Sequence, residues 1–198
     1  MIMTPHGPDG RRLFVLTGES GAGKTTRCRA LARTARAVGL RVGGITALEQ
    51  AGPDGAERWV EDMGSGERRL LARQASPGAI AAGEPRWELG EAALAWVSDV
   101  LSGACPTDLL LVDEVGPVEL LHRRGSLRGV ERALAGHYRM AVVVVRPWLV
   151  PRFLQLFPTP EARVVGIREP WNSRLAETPA SSGTRLRVVR IAPPATGE

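Results

Sequence analysis

The sequence predicts an α/β fold of three layers, in which helices cover both faces of a mainly parallel central sheet that carries an added β-hairpin. Two observations predict it. Short apolar runs alternate along the chain with stretches of helical periodicity. Two of these runs, 109–112 and 140–145, have no alternating polar positions, as expected for strands buried on both faces. With 43% hydrophobic residues, the chain is predicted to form one domain over residues 1–198.

The first elements are read from apolar spacing and from the glycines that end each run. Residues 13–17 form a short apolar run that stops at Gly18, which predicts a buried first strand. From Lys24 onward apolar residues recur at three- and four-residue steps until Gly39, which predicts an amphipathic helix. A second strand is predicted to follow at residues 40–46.

The added hairpin and the later elements follow the same reasoning. Residues 50–55 are rich in turn formers, and then 58–62 and 68–72 flank a Gly-Ser-Gly turn, which predicts two antiparallel strands. A helix is predicted at 87–101. The run 109–112 is predicted to be a central strand. The remaining predictions are, in order, a helix at 128–135, a strand at 140–145, a proline-interrupted helix at 149–157 and strands at 162–167 and 185–191.

A phosphate-binding loop is predicted between the first strand and the first helix. Residues 18–25, GESGAGKT, match the pattern G-x-x-x-x-G-K-[ST] in full. The glycines let consecutive N–H groups face inward, which forms an anion site at the positive end of the helix. The predicted nucleotide-binding residues are Gly18, Glu19, Ser20, Gly21, Ala22, Gly23, Lys24, Thr25 and Thr26.

Two side chains of this loop are predicted to act on the phosphates. Lys24 is expected to bridge the β- and γ-phosphates and to be catalytic, and the Thr25 hydroxyl is expected to coordinate Mg²⁺. Lys24 is the only lysine among the 26 basic residues. A compact ammonium is thus kept at the one position where a planar guanidinium would fit poorly.

Two carboxylates follow the apolar run 109–112. A metal-bound triphosphate requires a carboxylate beside the phosphate loop, and Asp113 is predicted to hold Mg²⁺ through a coordinated water. Glu114 is predicted to orient or deprotonate the attacking water, which hydrolysis requires and transfer to a substrate hydroxyl does not. Taken alone, the pattern is also typical of a strand that ends in a solvated turn.

Arg146 directly follows the buried strand predicted at 140–145. It is predicted to be catalytic, as a phosphate sensor or an arginine finger within the chain. The alternative is a salt-bridged strand end. Arg123 and Arg124 are further candidates for the same role, whereas the isolated His122 and His137 are predicted to have none.

Three blocks of the sequence resemble the THEP-type nucleoside-triphosphatases, a family of small P-loop proteins. They are GESGAGKTT at 18–26, the stretch 43–73 ending in DMGSGERRLLAR, and DEVGPVEL at 113–120. The resemblance implies a P-loop NTPase fold and Mg²⁺-dependent hydrolysis of ATP, GTP and other NTPs, including CTP or UTP, with little base preference. Glu119 matches the second acid of the family's block, and it is equally typical of a carboxylate at a helix start.

Other parts of the chain depart from the family's pattern. The departures are Thr46-Ala47-Leu48-Glu49, in which the family's threonine–x–glutamate is one residue out of step, Arg58-Trp59-Val60 and Asn172-Ser173-Arg174. Trp171 or Asn172, in the loop after the last main strand, is therefore only a hypothesis for a contact with the base.

Composition bears on location and on partners. No apolar stretch reaches the length of a membrane span, and 1–12 lack the apolar core of a signal peptide, which predicts a cytoplasmic protein without membrane contact. Cys28 and Cys105 lie far apart and are predicted to be buried free thiols. Residues 1–11 and 192–198 are predicted to be mobile.

Three functions are open at this point. The first is hydrolysis of nucleoside triphosphates, which predicts phosphate release without an added acceptor. The second is a small-molecule or nucleoside kinase. The third is a slow nucleotide-dependent switch that binds a partner such as nucleic acid. The net charge of +5 is compatible with nucleic acid, but the basic residues are spread along the chain and interleaved with acids, which argues against it.

Overall fold

A computed structural model of the protein describes residues 11–81, 86–159, 162–167 and 187–188. The described strands are β1 (Arg12–Thr17), β2 (Val42–Gly52), β3 (Gly55–Asp62), β4 (Arg68–Gln74), β5 (Trp87–Leu89), β6 (Thr107–Val115), β7 (Tyr138–Val145), β8 (Arg163–Gly166) and β9 (Arg187–Val188). The described helices are α1 (Lys24–Ala37), α2 (Pro77–Ala81), α3 (Glu91–Gly103), α4 (Pro117–Leu120), α5 (Leu127–Ala135) and α6 (Val150–Leu156), the last preceded by a 3₁₀ turn at Pro147–Leu149.

All nine of these strands belong to one sheet, in the order β5-β4-β3-β2-β6-β7-β1-β8-β9. The strands from β2 to β9 in this order are parallel, whereas β3, β4 and β5 extend one edge as an antiparallel meander. The predicted mainly parallel sheet with an added hairpin is thereby confirmed. Because β7 lies between β1 and β6, the carboxyl ends of these three strands meet at one edge of the sheet.

Helices cover both faces of the sheet, which gives the three predicted layers. In β7, Val142 and Val144 pack in the core cluster on the α1 side. Ala141 and Val143 pack in the opposite cluster, with side chains of α3, α5 and α6. Since successive residues of a strand point to opposite faces, a strand covered on both sides needs apolar residues at every position. This explains the unbroken apolar run of β7.

Helix α1 is tied to the meander by two arginines. Arg29 forms a salt bridge of 3.0 Å with Glu61 of β3. Arg36, one residue before the helix end, donates a hydrogen bond to the carbonyl of Met63 in the β3–β4 turn. The helix that follows the phosphate loop therefore has a fixed position relative to the meander.

The structure corrects several predicted boundaries. The helix predicted at 87–101 is wrong at its start, because Trp87–Leu89 pairs with β4 as strand β5, and α3 begins only at Glu91. Strand β2 continues into the predicted turn region 50–55 as far as Gly52, since β3 pairs with its second half, and the turn itself is confined to 53–54. The short helices α2 and α4 are additional elements. Of the last predicted strand, only 187–188 is described, and the predicted mobile ends lie outside the described residues apart from Arg11.

The structure also bears on the predictions about the cysteines and about a membrane span. Both cysteines are free, and Cys28 is fully buried, but Cys105 is only half-buried, so the prediction of a buried thiol is wrong at that position. Within the described part of the chain, no helix has the length and apolar character needed to cross a membrane.

Candidate nucleotide site

The predicted phosphate loop connects β1 to α1. Gly21 and Gly23 have φ angles of 77° and 83°, in the left-handed region that favours glycine, and Gly23 is the residue that caps α1. The helix begins at Lys24, so the loop lies at the positive end of a fourteen-residue helix. The backbone geometry is that of an anion-binding loop.

Lys24 reaches back across this loop. Its Nζ donates hydrogen bonds to the carbonyl oxygens of Gly18 at 2.8 Å and of Glu19 at 2.7 Å. The ammonium group is therefore held at the mouth of the loop and not extended into solvent. Among the other predicted nucleotide-binding residues, Glu19, Ser20, Gly21 and Thr26 are exposed, and Gly18, Ala22, Gly23 and Thr25 are half-buried.

Asp113 lies next to the loop although the two are far apart in sequence. Only 2% of this residue is exposed, and its Oδ2 accepts a hydrogen bond from the Ala47 N–H at 3.3 Å. Burial raises the pKa of Asp113 to about 6, while a hydrogen bond from the Thr25 hydroxyl, the Ala47 amide and the charge of Lys24 lower it. The structure thus brings Lys24, Thr25 and Asp113 together.

The donors around Asp113 fit Mg²⁺. Asp113 forms no salt bridge with another residue of the described part of the chain, so its buried charge has no cationic side chain paired to it. One carboxylate and one hydroxyl, both hard oxygen donors, suit an ion that keeps most of its waters and binds substrate phosphates. No group of three or more His, Cys, Asp or Glu side chains suited to a metal occurs among the described residues. The described residues therefore do not form a site in which protein side chains alone coordinate the metal ion.

Glu114 and Arg146 are each other's partners. Arg146 Nε donates to Glu114 Oε1 at 2.6 Å, and the side chains are 40% and 24% exposed, respectively. The contact follows from the register of the sheet, because Val115 of β6 lies opposite Val145 of β7. The geometry matches the salt-bridged strand end that is the alternative interpretation of Arg146.

Glu119 anchors the loop that follows β6. It is buried and accepts hydrogen bonds from the Gly116 N–H at 3.2 Å, the Ser126 N–H at 3.2 Å and the Ser126 hydroxyl at 3.0 Å. Gly125 allows this approach, because a Cβ there would lie 2.7 Å from Glu119 Oε1. The geometry matches a carboxylate at a helix start, which closes the loop between Gly116 and Ser126.

We expect Glu119→Ala to lower the free energy of unfolding by about 2–4 kcal/mol, because buried donors lose their acceptor. Thermal or urea denaturation measures the change. Glu131→Ala is the matched control, since Glu131 is about half exposed and pairs only at 3.6 Å with Arg123; it should change stability by less than about 1 kcal/mol. Equal effects of the two substitutions would contradict the anchoring role of Glu119.

The remaining candidates lie elsewhere or have structural partners. Arg123 pairs with Glu131, and within the described residues neither Arg123 nor Arg124 forms a side-chain hydrogen bond or ion pair with the loop, Asp113 or Glu114. His122 and His137 are exposed. Trp171 and Asn172 lie outside the described residues.

Two of the departures from the family's pattern have structural partners. Glu49 and Arg58 form a cross-strand pair at 3.4 Å. Thr46 is buried, and its Oγ1 accepts a hydrogen bond from Arg29 Nη1 at 3.4 Å.

Sequence reasoning missed two contributors to the surroundings of Asp113. One is the Ala47 amide, which lies beside Asp113 because Ile45 of β2 is opposite Val112 of β6, a register that the sequence does not show. The other is Cys28, which no sequence signal indicated. Burial raises the pKa of the Cys28 thiol well above its usual range, and the charge of Asp113 raises it further. The thiol therefore stays protonated.

Comparisons with known proteins all find nucleoside triphosphatases. A family model described as NTPase matches residues 13–170. The nucleoside-triphosphatase THEP1 of Methanopyrus kandleri is 34% identical over 134 residues, which cover 66% of this chain and 71% of that protein. The nucleoside-triphosphatase THEP1 of Methanothermobacter thermautotrophicus is 30% identical over 139 residues, which cover 69% and 78%, respectively.

Two solved structures share the fold. The solution structure of a human cancer-related nucleoside triphosphatase superposes with a TM-score of 0.56 at 21% identity, covering 78% of this chain and 87% of that one. The crystal structure of THEP1 from Aquifex aeolicus gives a TM-score of 0.53 at 15% identity, covering 79% and 89%. At these identities the likeness concerns the fold, and it agrees with the predicted P-loop α/β architecture.

Proposed function

Because the chain belongs to the nucleoside-triphosphatase family that includes the THEP1 proteins, it is an NTP-hydrolysing enzyme, and we propose that it cleaves the terminal phosphate of its substrate. The proposed substrate is a Mg²⁺-bound nucleoside triphosphate. The proposed site is the edge of the sheet where β1, β6 and β7 end. One observation carries this proposal. Lys24 and Thr25, at the start of α1, lie beside Asp113, at the end of β6. A phosphate loop and a buried carboxylate in that relation form a site for a metal-bound polyphosphate.

In the proposed complex the loop binds the phosphates. Backbone N–H groups of 18–25 surround the β-phosphate, and Lys24 leaves the carbonyls of Gly18 and Glu19 to bridge the β- and γ-phosphates. The two hydrogen bonds to loop carbonyls already place the ammonium group at the loop, so the exchange of partners is a local one.

Thr25 and Asp113 are the proposed residues for Mg²⁺. The ion, when bound, would neutralise charge on the phosphate oxygens during transfer. The Ala47 N–H orients Asp113, and the Thr25 hydroxyl faces the same carboxylate. The side chains of Thr25 and Asp113 are thus held next to each other, beside the phosphate loop.

Glu114 is the proposed general base. It accepts a proton from water as the water oxygen bonds to the γ-phosphorus, and the bond from that phosphorus to the β–γ bridging oxygen breaks. The leaving group is the nucleoside diphosphate, and the proton on Glu114 returns to solvent or to phosphate. Arg146 and Lys24 stabilise the charge on the transferred group.

The proposed substrates are ATP, GTP, CTP and UTP. The loop and the two carboxylates contact phosphate and metal, which all four nucleotides share. Selectivity among bases would have to come from other residues, such as the proposed Trp171 or Asn172. Broad specificity is therefore the expected behaviour.

We expect purified protein to release phosphate from all four nucleotides when Mg²⁺ is present and no acceptor is added. Rates should agree within about tenfold among nucleotides, a difference of about 1.4 kcal/mol, since the phosphate and metal contacts are the same for all four. Chelation with EDTA should stop release, and added Mg²⁺ should restore it. Full activity in EDTA would contradict the assigned roles of Thr25 and Asp113. Formation of nucleoside diphosphate only with an alcohol acceptor, with the γ-phosphate on that acceptor and none released, would favour the kinase.

A slow nucleotide-dependent switch is the second candidate, favoured by the ion pair that engages Glu114. Its distinguishing property is a binding partner. If it acts on nucleic acid, a labelled oligonucleotide should bind with an affinity that falls steeply with salt. Turnover that is unchanged by oligonucleotide argues for a free-standing hydrolase.

A further inference from the structure

The ion pair between Glu114 and Arg146 engages two groups proposed to act on the same phosphate. Arg146 Nε lies 2.6 Å from Glu114 Oε1. That oxygen accepts a charge-assisted hydrogen bond, and the carboxylate is directed toward the end of β7. While the pair persists, this oxygen is directed at Arg146, and the other carboxylate oxygen is the one left to meet water.

Arg146 occupies the position between the phosphate loop and the carboxylates. It follows β7, which pairs with β1 on one side and with β6 on the other. The loop follows β1, and Asp113 and Glu114 lie near the end of β6. Its side chain is 40% exposed, so the guanidinium can change partners without breaking apolar packing.

A γ-phosphate is a stronger partner for this guanidinium than a carboxylate is. It offers three oxygens and more negative charge, and the planar fork of arginine matches two of them at once. A diphosphate lacks this group, because its terminal phosphate occupies the loop itself. Only a triphosphate can therefore compete with Glu114 for Arg146.

We infer that Arg146 is the residue by which this enzyme distinguishes a nucleoside triphosphate from a diphosphate, and that it does so by exchanging Glu114 for the γ-phosphate. The inference rests on the proposed function. The exchange also sets the order of events. Both carboxylate oxygens of Glu114 are free to act on water only after the triphosphate has engaged Arg146, and one of them is bound again once the phosphate has left.

Calorimetry with two adenine ligands tests this exchange without turnover. The ligands are Mg²⁺–ADP and the Mg²⁺ complex of the non-hydrolysable β,γ-imido analogue of ATP. Arg146→Ala should weaken the analogue roughly 10–100-fold and leave ADP within about twofold, the range expected for one charged hydrogen-bonding group. Glu114→Gln should tighten the analogue about tenfold and leave ADP unchanged, because Arg146 no longer has a carboxylate to leave.

A control lies at the other end of the same strands. Arg139 of β7 pairs with Asp108 of β6 at 3.9 Å and is 71% exposed, so Arg139→Ala removes another arginine that pairs β7 with β6, away from the loop. It should change neither affinity. Arg146→Lys, which keeps the charge but loses the fork, should retain an intermediate preference for the analogue.

The outcomes separate this inference from the proposed function. Wild-type protein that binds neither ligand would reject the proposed function itself. If wild-type protein binds both ligands, and the ratio of analogue affinity to ADP affinity in Arg146→Ala and Glu114→Gln equals the wild-type ratio, only the exchange is rejected. Arg146 would then have a structural role at the end of β7. If thermal denaturation shows that Arg146→Ala does not fold, Glu114→Gln and Arg146→Lys decide: unchanged analogue affinity in both rejects the exchange.

Discussion

Lys24→Ala is expected to abolish nucleotide binding and hydrolysis together, with kcat/KM lowered on the order of 10³-fold or more. The ammonium is the charge proposed to bridge the β- and γ-phosphates. Its hydrogen bonds to Gly18 and Glu19 show that it lies at the mouth of the loop. Without it, ground-state binding and charge stabilisation during transfer are both lost, so KM and kcat should worsen together.

Lys24→Arg tests the chemistry of the group. It keeps the positive charge but places a planar guanidinium where a compact ammonium fits, so we expect most activity to be lost as well. Arg33→Ala is the control for a lost positive charge on the same helix, since Arg33 is an exposed residue of α1. Phosphate release and calorimetry measure all three variants. Near-wild-type binding by Lys24→Ala would remove the basis of the proposed site.

The parts of the fold that could be predicted are those with local signals. The strand before the phosphate loop, the loop and α1 are contiguous in sequence, and each is marked by its own residue pattern. The central strands β6 and β7 are marked by apolar runs that only burial on both faces explains. These elements differ from their predicted bounds by a few residues at most.

The errors lie where pairing between distant segments overrides local preference. Trp87–Leu89 has helix-compatible residues, but β4 offers an edge to which they hydrogen-bond. The second half of β2 contains turn formers, yet pairing with β3 keeps it extended to Gly52. Local patterns do not contain this information, because it depends on which strands become neighbours.

The candidate site shows the same division. The residue types at 24, 25, 113 and 114 could be identified from motifs, and the structure brings Lys24, Thr25 and Asp113 together. The pair between Glu114 and Arg146 could not be predicted, since it needs the adjacency of β6 and β7 and the register of Val115 with Val145. Both residues were predictable as individual candidates, but the contact between them was not.

Glu114→Gln is expected to slow hydrolysis by about 10²–10⁴-fold without weakening nucleotide binding. The amide has nearly the same shape as the carboxylate but cannot accept a proton from water. Because Glu114 is only part-buried, the substitution should leave the fold intact. Single-turnover phosphate release measures the chemical step, and calorimetry with the β,γ-imido analogue measures binding.

The same substitution at Glu131, an exposed carboxylate of α5, should leave the rate unchanged and serves as the control for a lost negative charge. Comparison of Glu114→Gln with Lys24→Ala then separates two kinds of loss. Removing the loop ammonium should weaken binding and rate together, whereas removing the carboxylate should lower the rate without weakening binding. Full activity in Glu114→Gln would show that water needs no base from this position, and Arg146 would then hold a carboxylate whose role is to join β6 to β7.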